Sequence, residues 1–110
     1  MLDRVAGLLD ESVPGRFGAL LVGHSVATVQ GRGWASIQNG KLLALAAGEF
    51  DVLLTADKGM EYQQNPATLP VSILIVLARS NRIEDLTVAV PAILSSLAEL
   101  PPRTLRKVAA

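Results

Sequence analysis

The sequence predicts a small three-layer α/β domain, α/β/α, with a mostly parallel central sheet of four to five strands. Three observations carry this. Short apolar runs such as Val52-Leu53-Leu54-Thr55 and Val71 to Leu77 lack polar alternation, as strands covered on both faces do. These runs alternate along the chain with segments of helical spacing, which is the pattern of parallel α/β architecture. The 110 residues, half of them hydrophobic, suffice for one core and not for two, so residues 1–110 form a single domain.

The elements follow in order. Val5 to Leu9 form a first buried strand, and Pro14 suits the first turn of a helix capped by Ser12 or Val13. His24 to Val29 make a second short strand, which Gly31 and Gly33 end. Asn39 is placed as an N-cap, Leu42, Leu43, Leu45 and Ala46 supply an apolar stripe, and Gly48 stops that helix. Val52 to Thr55 are the third strand. The polar stretch MEYQQNPATLP, interrupted by Pro66 and Pro70, reads as a loop with at most one helical turn. Val71 to Leu77 are the fourth strand.

Beyond it, Asn81-x-x-Glu84 resembles a capping box, and Ile83, Leu86, Val90, Ile93, Leu94 and Leu97 recur at helical spacing. Pro91 should kink or divide that helix. Thr104 to Val108 can add a final strand. If the first two strands lie on one side and the sheet then reverses direction, the first and third become neighbours at a switch point. Ligands usually bind beyond the carboxyl ends of the strands at such a point.

Composition narrows the function classes. Ten Lys and Arg balance ten Asp and Glu, so no broad field attracts a polyanion, and aromatics make up only 4% of the chain. Nucleic-acid contact would therefore be local. With no cysteine there is no disulfide, thiolate zinc site or cysteine nucleophile, in keeping with a cytoplasmic protein. Asp3, Arg4 and Asp10 interrupt any signal-like apolar core at the N-terminus. The longest apolar run, Leu69 to Ala78, is about half of the ~20 residues a membrane-spanning helix needs.

The candidate site lies at the strand ends. Asp10 follows the first strand and Asp57 the third, and adjacent strands lie about 5 Å apart, close enough for two carboxylates to share a cation. Oxygen donors without His or Cys select hard cations such as Mg²⁺ or Mn²⁺, which suits metal-dependent phosphodiester hydrolysis. The competing role for each Asp is to cap a helix or tighten a turn. Glu11 can face the site or solvent, Asn39 can serve as ligand or N-cap, and Glu61 lies on the polar loop, where exposure is the simpler account.

Lys58 and Arg79 follow the third and fourth strands and can reach phosphate, with Ser80 and Arg82 beside them; the alternative is a solvated rim. Arg103, Arg106 and Lys107 read as a soluble basic tail. His24 has no ligand partner and reads as a turn residue, and Trp34 should hold the loop before the second helix. No glycine-rich phosphate loop follows a strand, which disfavours nucleotide binding of that type.

The segments LLDESVP at 8 to 14, GHSVATVQGRGWASIQNGKLLALAAGEFDVLLTADKGMEYQQN at 23 to 65, and ILIVLARSNRIEDL at 74 to 86 together cover most of the chain. In their order they resemble the small PIN-like proteins, a compact branch of the PIN nuclease fold. The resemblance implies a PIN-like fold, a Mg²⁺ or Mn²⁺ site, ribonuclease activity on RNA, and a toxin role opposite an antitoxin protein. By position Asp10 and Asp57 match the strand-end aspartates of that family, Glu11 the glutamate that follows the first, and Asn39 an Asp or Asn ahead of the second helix. The family gathers three or four carboxylates, whereas this chain offers two with Glu11 and the Asn39 amide beside them. The alternative function is therefore a catalytically weak or inactive PIN-like protein that binds a partner or forms a homodimer, with Ala44, Ala46 and Ala47 as its small-residue surface.

Overall fold

The apolar runs become five strands in a computed structural model that describes residues 4–109. They are β1 (Ala6–Leu9), β2 (Ser25–Thr28), β3 (Val52–Thr55), β4 (Ser72–Leu77) and β5 (Leu105–Ala109). All pair in parallel, in the order β2-β1-β3-β4-β5. The expected three-layer α/β/α architecture is thus present, and its sheet is wholly parallel. β1 and β3 are hydrogen-bonded neighbours, with Leu8 opposite Leu53 and Leu9 opposite Leu54, so the direction of winding reverses between them.

The helices are α1 (Asn39–Ala47), α2 (Met60–Gln63), α3 (Ile83–Thr87) and α4 (Val90–Glu99), with 3-10 helices at Gly15–Leu20 and Pro66–Thr68. Because successive strand residues point to opposite faces, the sheet feeds two cores. On one face Leu9, Val52, Leu54, Leu74 and Val76 meet Phe17 and Leu21 of the first crossover, Leu86 of α3, and Ile93 and Leu97 of α4. On the other, Leu8, Leu53, Ile73 and Ile75 meet Leu42, Leu43 and Ala46 of α1 and Met60 of α2. Every residue of β3 is buried, which explains a strand sequence without polar alternation.

Several local expectations are corrected. The crossover after Pro14 is 3-10 rather than α-helical, closed by Phe17 N–H donating to the Pro14 carbonyl at 3.0 Å and Leu21 N–H to that of Gly18 at 3.1 Å. Packing explains it: a Cβ at Gly18 would lie 3.0 Å from Val26 Cγ1, so this segment rides unusually close to β2. Neither Ser12 nor Val13 caps it, since Pro14 holds the cap position with no side-chain bond. Gln38, not Asn39, is the N-cap of α1, and Asn39 is the first helical residue. Arg82 rather than Asn81 occupies the N-cap of α3, without a side-chain bond. Pro91 does divide the last helical segment, sitting in the first turn of α4, where its missing N–H costs nothing.

The loop between β2 and α1 is clamped from inside. Trp34 meets Phe50 edge to face with centroids 6.2 Å apart, and the Arg32 guanidinium lies 5.7 Å and 4.8 Å from those two ring centroids. His24 Nδ1 accepts a bond from the Val5 N–H at 3.0 Å, tying the turn before β2 to the start of β1. Ala46 is fully buried in the protein's own core, so only Ala44 and Ala47 of the proposed small-residue surface face outward. Among the described residues no helix is long and apolar enough to cross a membrane.

Candidate functional site

The parallel pairing of β1 with β3 brings the segments after both strands to the same, carboxyl-terminal edge of the sheet. Asp10 N–H donates to the Leu54 carbonyl at 3.1 Å, which extends the ladder one residue beyond β1. The Asp10 side chain is consequently buried, 8% exposed, while Asp57 stands in solvent.

Asp10 does not lie there unpartnered. Its Oδ1 accepts from the Ser12 N–H at 3.0 Å and the Ser12 hydroxyl at 2.5 Å, and its Oδ2 accepts from the Thr55 hydroxyl at 2.5 Å. Each hydroxyl in turn accepts a backbone amide of the loop after β3: Ala56 N–H reaches Ser12 Oγ at 2.9 Å and Asp57 N–H reaches Thr55 Oγ1 at 3.0 Å. Two chains of charge-assisted bonds therefore run from the β3 loop to one carboxylate and fix its orientation. No described buried side-chain polar atom lacks a partner.

Burial pushes the Asp10 carboxyl above its ordinary value of 3.8; the bonds from Ser12 and Thr55 act the other way, and the nearby Asp57 charge adds to the rise. A carboxyl whose folded pKa exceeds its unfolded one binds the proton more tightly in the native state. Its contribution to stability is therefore full below the unfolded value and lost as pH rises through the folded one. We expect the unfolding free energy of the wild type minus that of Asp10→Asn to fall as urea melts move upward from pH 3.8, then to level off. A difference that grew with pH would mean that the hydroxyl bonds outweigh burial.

The other predicted site residues are spread more widely. Asp57 Oδ1 accepts the Gly59 N–H at 2.9 Å, a turn-tightening bond on an exposed residue. Glu11 is exposed and turned away: its Oε1 accepts the Ser36 N–H at 2.9 Å and so steadies a residue at φ 71°. Asn39 donates to Gln63 Oε1 at 2.6 Å, joining α1 to α2 rather than meeting Asp10. Among the described residues no three His, Cys, Asp or Glu side chains gather as a metal cluster. The Thr55 hydroxyl links the Asp10 carboxylate to the backbone N–H of Asp57, and neither Glu11 nor Asn39 enters that constellation.

Lys58 and Arg79 do come together. Both line an open cleft of about 480 Å³ whose remaining walls are Leu77, Ala78, Asp85, Val88 and Ala109. Ser80 is not available to a ligand in the way expected, because its hydroxyl donates to Asp85 Oδ2 at 2.6 Å and accepts the Arg82 N–H at 3.0 Å. Lys107 is engaged with Glu61 at 2.7 Å, so neither belongs to a free tail or a free loop. Two further cavities, one bounded by Val5, Asp51, Ser72 and Glu99 and one by Ala67, Thr68, Leu69 and Arg103, lie toward the amino-terminal edge of the sheet. Neither Asp10 nor Asp57 lines any of the three.

Sequence reasoning missed Thr55 and Asp85, and assigned Ser12 only to helix capping. Ser12 had a readable signal, since a hydroxyl two residues after an Asp often closes a local turn with it. Thr55 did not, because a Thr ending a buried strand is ordinary until the pairing partner is known. No family model matches the chain, nor does any curated protein or solved structure.

Proposed function

We propose that the protein is a PIN-like, metal-dependent endoribonuclease whose reaction centre is the pair Asp10 and Asp57. The observation that carries this reading is the placement of the two carboxylates after neighbouring parallel strands at the switch point, one locked by hydroxyl bonds and the other open to solvent. RNA as substrate, a toxin role opposite an antitoxin and a cytoplasmic setting come from the sequence resemblance and composition, and are part of the proposal.

The donor set suits one kind of ion. Mg²⁺ commonly keeps several of its waters and takes one or two carboxylates, so Asp10 and Asp57 can hold it without a third acid; Mn²⁺ accepts similar oxygen donors. When bound, such an ion supplies positive charge against the charge that develops as a phosphodiester is hydrolysed. The protein's own contribution is orientation. Ser12 and Thr55 prevent the Asp10 carboxylate from rotating, as outer hydrogen-bond partners do for ligating carboxylates elsewhere. Asp57 is held at its Oδ1 by the Gly59 N–H and is exposed to solvent.

The test uses a mixed single-stranded RNA pool with purified protein and Mn²⁺. We expect cleavage that stops on chelation with EDTA and returns on adding Mn²⁺ back. A rate equal to that of the chelated sample would reject the nuclease reading.

A second reading is favoured by one specific observation: three donors already engage the Asp10 carboxylate. If those bonds exist only to join β1 to the loop after β3, the protein keeps the fold as a partner-binding or homodimeric module. Calorimetric titration separates the two, because this second reading predicts no heat of Mn²⁺ binding at neutral pH.

A further inference from the structure

The carboxyl-terminal edge is electrostatically lopsided about Asp10 and Asp57. Toward β2 it carries exposed Glu11, and Arg32 on that side is paired with Glu49 at 2.7 Å. Toward β4 and β5 it carries Lys58 and Arg79, exposed cations that form no ion pair among the described residues. Both line the 480 Å³ cleft, and its one acid, Asp85, is engaged by the Ser80 hydroxyl. The cleft is not simply a basic patch. Val88, 65% exposed, and half-buried Leu77 and Ala78 give it an apolar wall.

A cationic rim against an apolar wall matches a nucleotide, whose phosphate is anionic and whose base has an apolar face. A phosphate alone would need no Val88, and an apolar peptide would have no use for two cations. Lys58, which lines the cleft, directly follows Asp57 in the chain, so the cleft begins one residue from the proposed reaction centre. We propose that the cleft is the subsite for a neighbouring nucleotide of a single-stranded RNA, with its phosphate between Lys58 and Arg79 and its base against Val88. The strand thus leaves Asp10 and Asp57 toward β4 and β5, away from Glu11. An unpaired strand is required because a base in a duplex cannot turn its face to a side chain. This inference rests on the reading of Asp10 and Asp57 as an RNA-cleaving centre.

The experiment measures binding of a short fluorescein-labelled single-stranded RNA by anisotropy in EDTA, with cleavage assayed separately in Mn²⁺. Lys58→Gln and Arg79→Gln should each weaken binding about tenfold, as expected for one charge-assisted phosphate contact. Each should also lower the slope of log affinity against log salt by about 0.7. Val88→Asp should weaken binding further, whereas Arg82→Gln, an exposed cation paired with Glu84 outside the cleft, should stay within about twofold. Equal losses for Arg82→Gln and Lys58→Gln would overturn the subsite in favour of general attraction. So would wild-type affinity in both Lys58→Gln and Arg79→Gln. Displacement of the RNA by an equal concentration of adenosine monophosphate would overturn the strand assignment and leave a free-nucleotide site. Wild type that cleaves RNA while the variants bind unchanged removes the subsite alone; wild type that neither binds nor cleaves removes the nuclease reading as well.

Discussion

Asp57→Asn is expected to lower Mn²⁺-dependent RNA cleavage about 100-fold or more while the protein unfolds at the same urea concentration as the wild type. The reasoning separates charge from shape. Asn keeps the oxygen that accepts the Gly59 N–H, so the turn after β3 should survive, and an exposed substitution of this kind typically shifts stability by no more than about 0.5 kcal/mol. What is lost is one of two negative charges in the proposed cation site, and removing a single electrostatic group from a reaction centre commonly costs about 10²–10³ in rate. The measurement pairs single-turnover cleavage with a urea melt followed by Trp34 fluorescence. Cleavage at the wild-type rate would take Asp57 out of the chemistry, and with it the paired-carboxylate centre.

The opposite signature is expected of Asp10→Ala: a loss of stability of about 2–4 kcal/mol, whatever happens to activity. Removing the carboxylate takes the acceptor from two hydroxyls, Ser12 Oγ and Thr55 Oγ1, which lie 3.3 Å apart so that one can donate to the other while the second is left without an acceptor, and Thr55 is fully buried. Bonds to a charged acceptor are worth about 1.5–3 kcal/mol each, and relief of the buried charge offsets part of the sum. Asp10→Asn should be milder, about 1–2 kcal/mol, because the amide oxygen can still serve one hydroxyl while the other must find a new acceptor. Urea melts at pH 7 decide the matter. Wild-type stability in Asp10→Ala would mean that the two hydroxyl chains contribute nothing net. Activity lost in an Asp10 variant must therefore be read beside its folded fraction, which makes Asp57→Asn the cleaner probe of chemistry.

Much of the fold was legible because burial on two faces leaves a strong mark on a strand. Val52 to Thr55 appear as β3 with the expected limits, and the run to Leu77 as β4, since apolar residues fill both faces of each segment and the one polar residue in each, Thr55 or Ser72, is itself buried. The weak signals were the ends of helices. Asn39, Ser12 and Asn81 all look like caps by residue type, yet none caps a helix: Asn39 is already the first residue of α1, the Ser12 hydroxyl bonds Asp10, and Arg82 holds the cap position of α3. Asn39 bonds Gln63 across 24 positions of sequence, and no local rule anticipates that.

The candidate site divides in the same way. Asp10 and Asp57 were readable as residues that leave neighbouring strands, given one assumption about strand order, and the order β2-β1-β3-β4-β5 supplies it. Glu11 and Asn39, chosen for nearness in sequence or for resemblance, bond elsewhere, Glu11 to the Ser36 amide and Asn39 to Gln63. Thr55 was invisible as a site residue because its importance lies in the strand opposite, 45 positions away from Asp10.

By itself, then, the sequence determined the architecture and the edge at which charge emerges, because hydrophobic periodicity is local and each apolar run must find cover wherever the chain takes it. Tertiary structure alone decided which side chains meet there: that Asp10 is locked by Ser12 and Thr55, that Ser80 is consumed by Asp85, and that Lys58 and Arg79 share one cleft. Hydrogen bonds are short and directional, so they depend on ångström-scale placement of segments far apart in the chain.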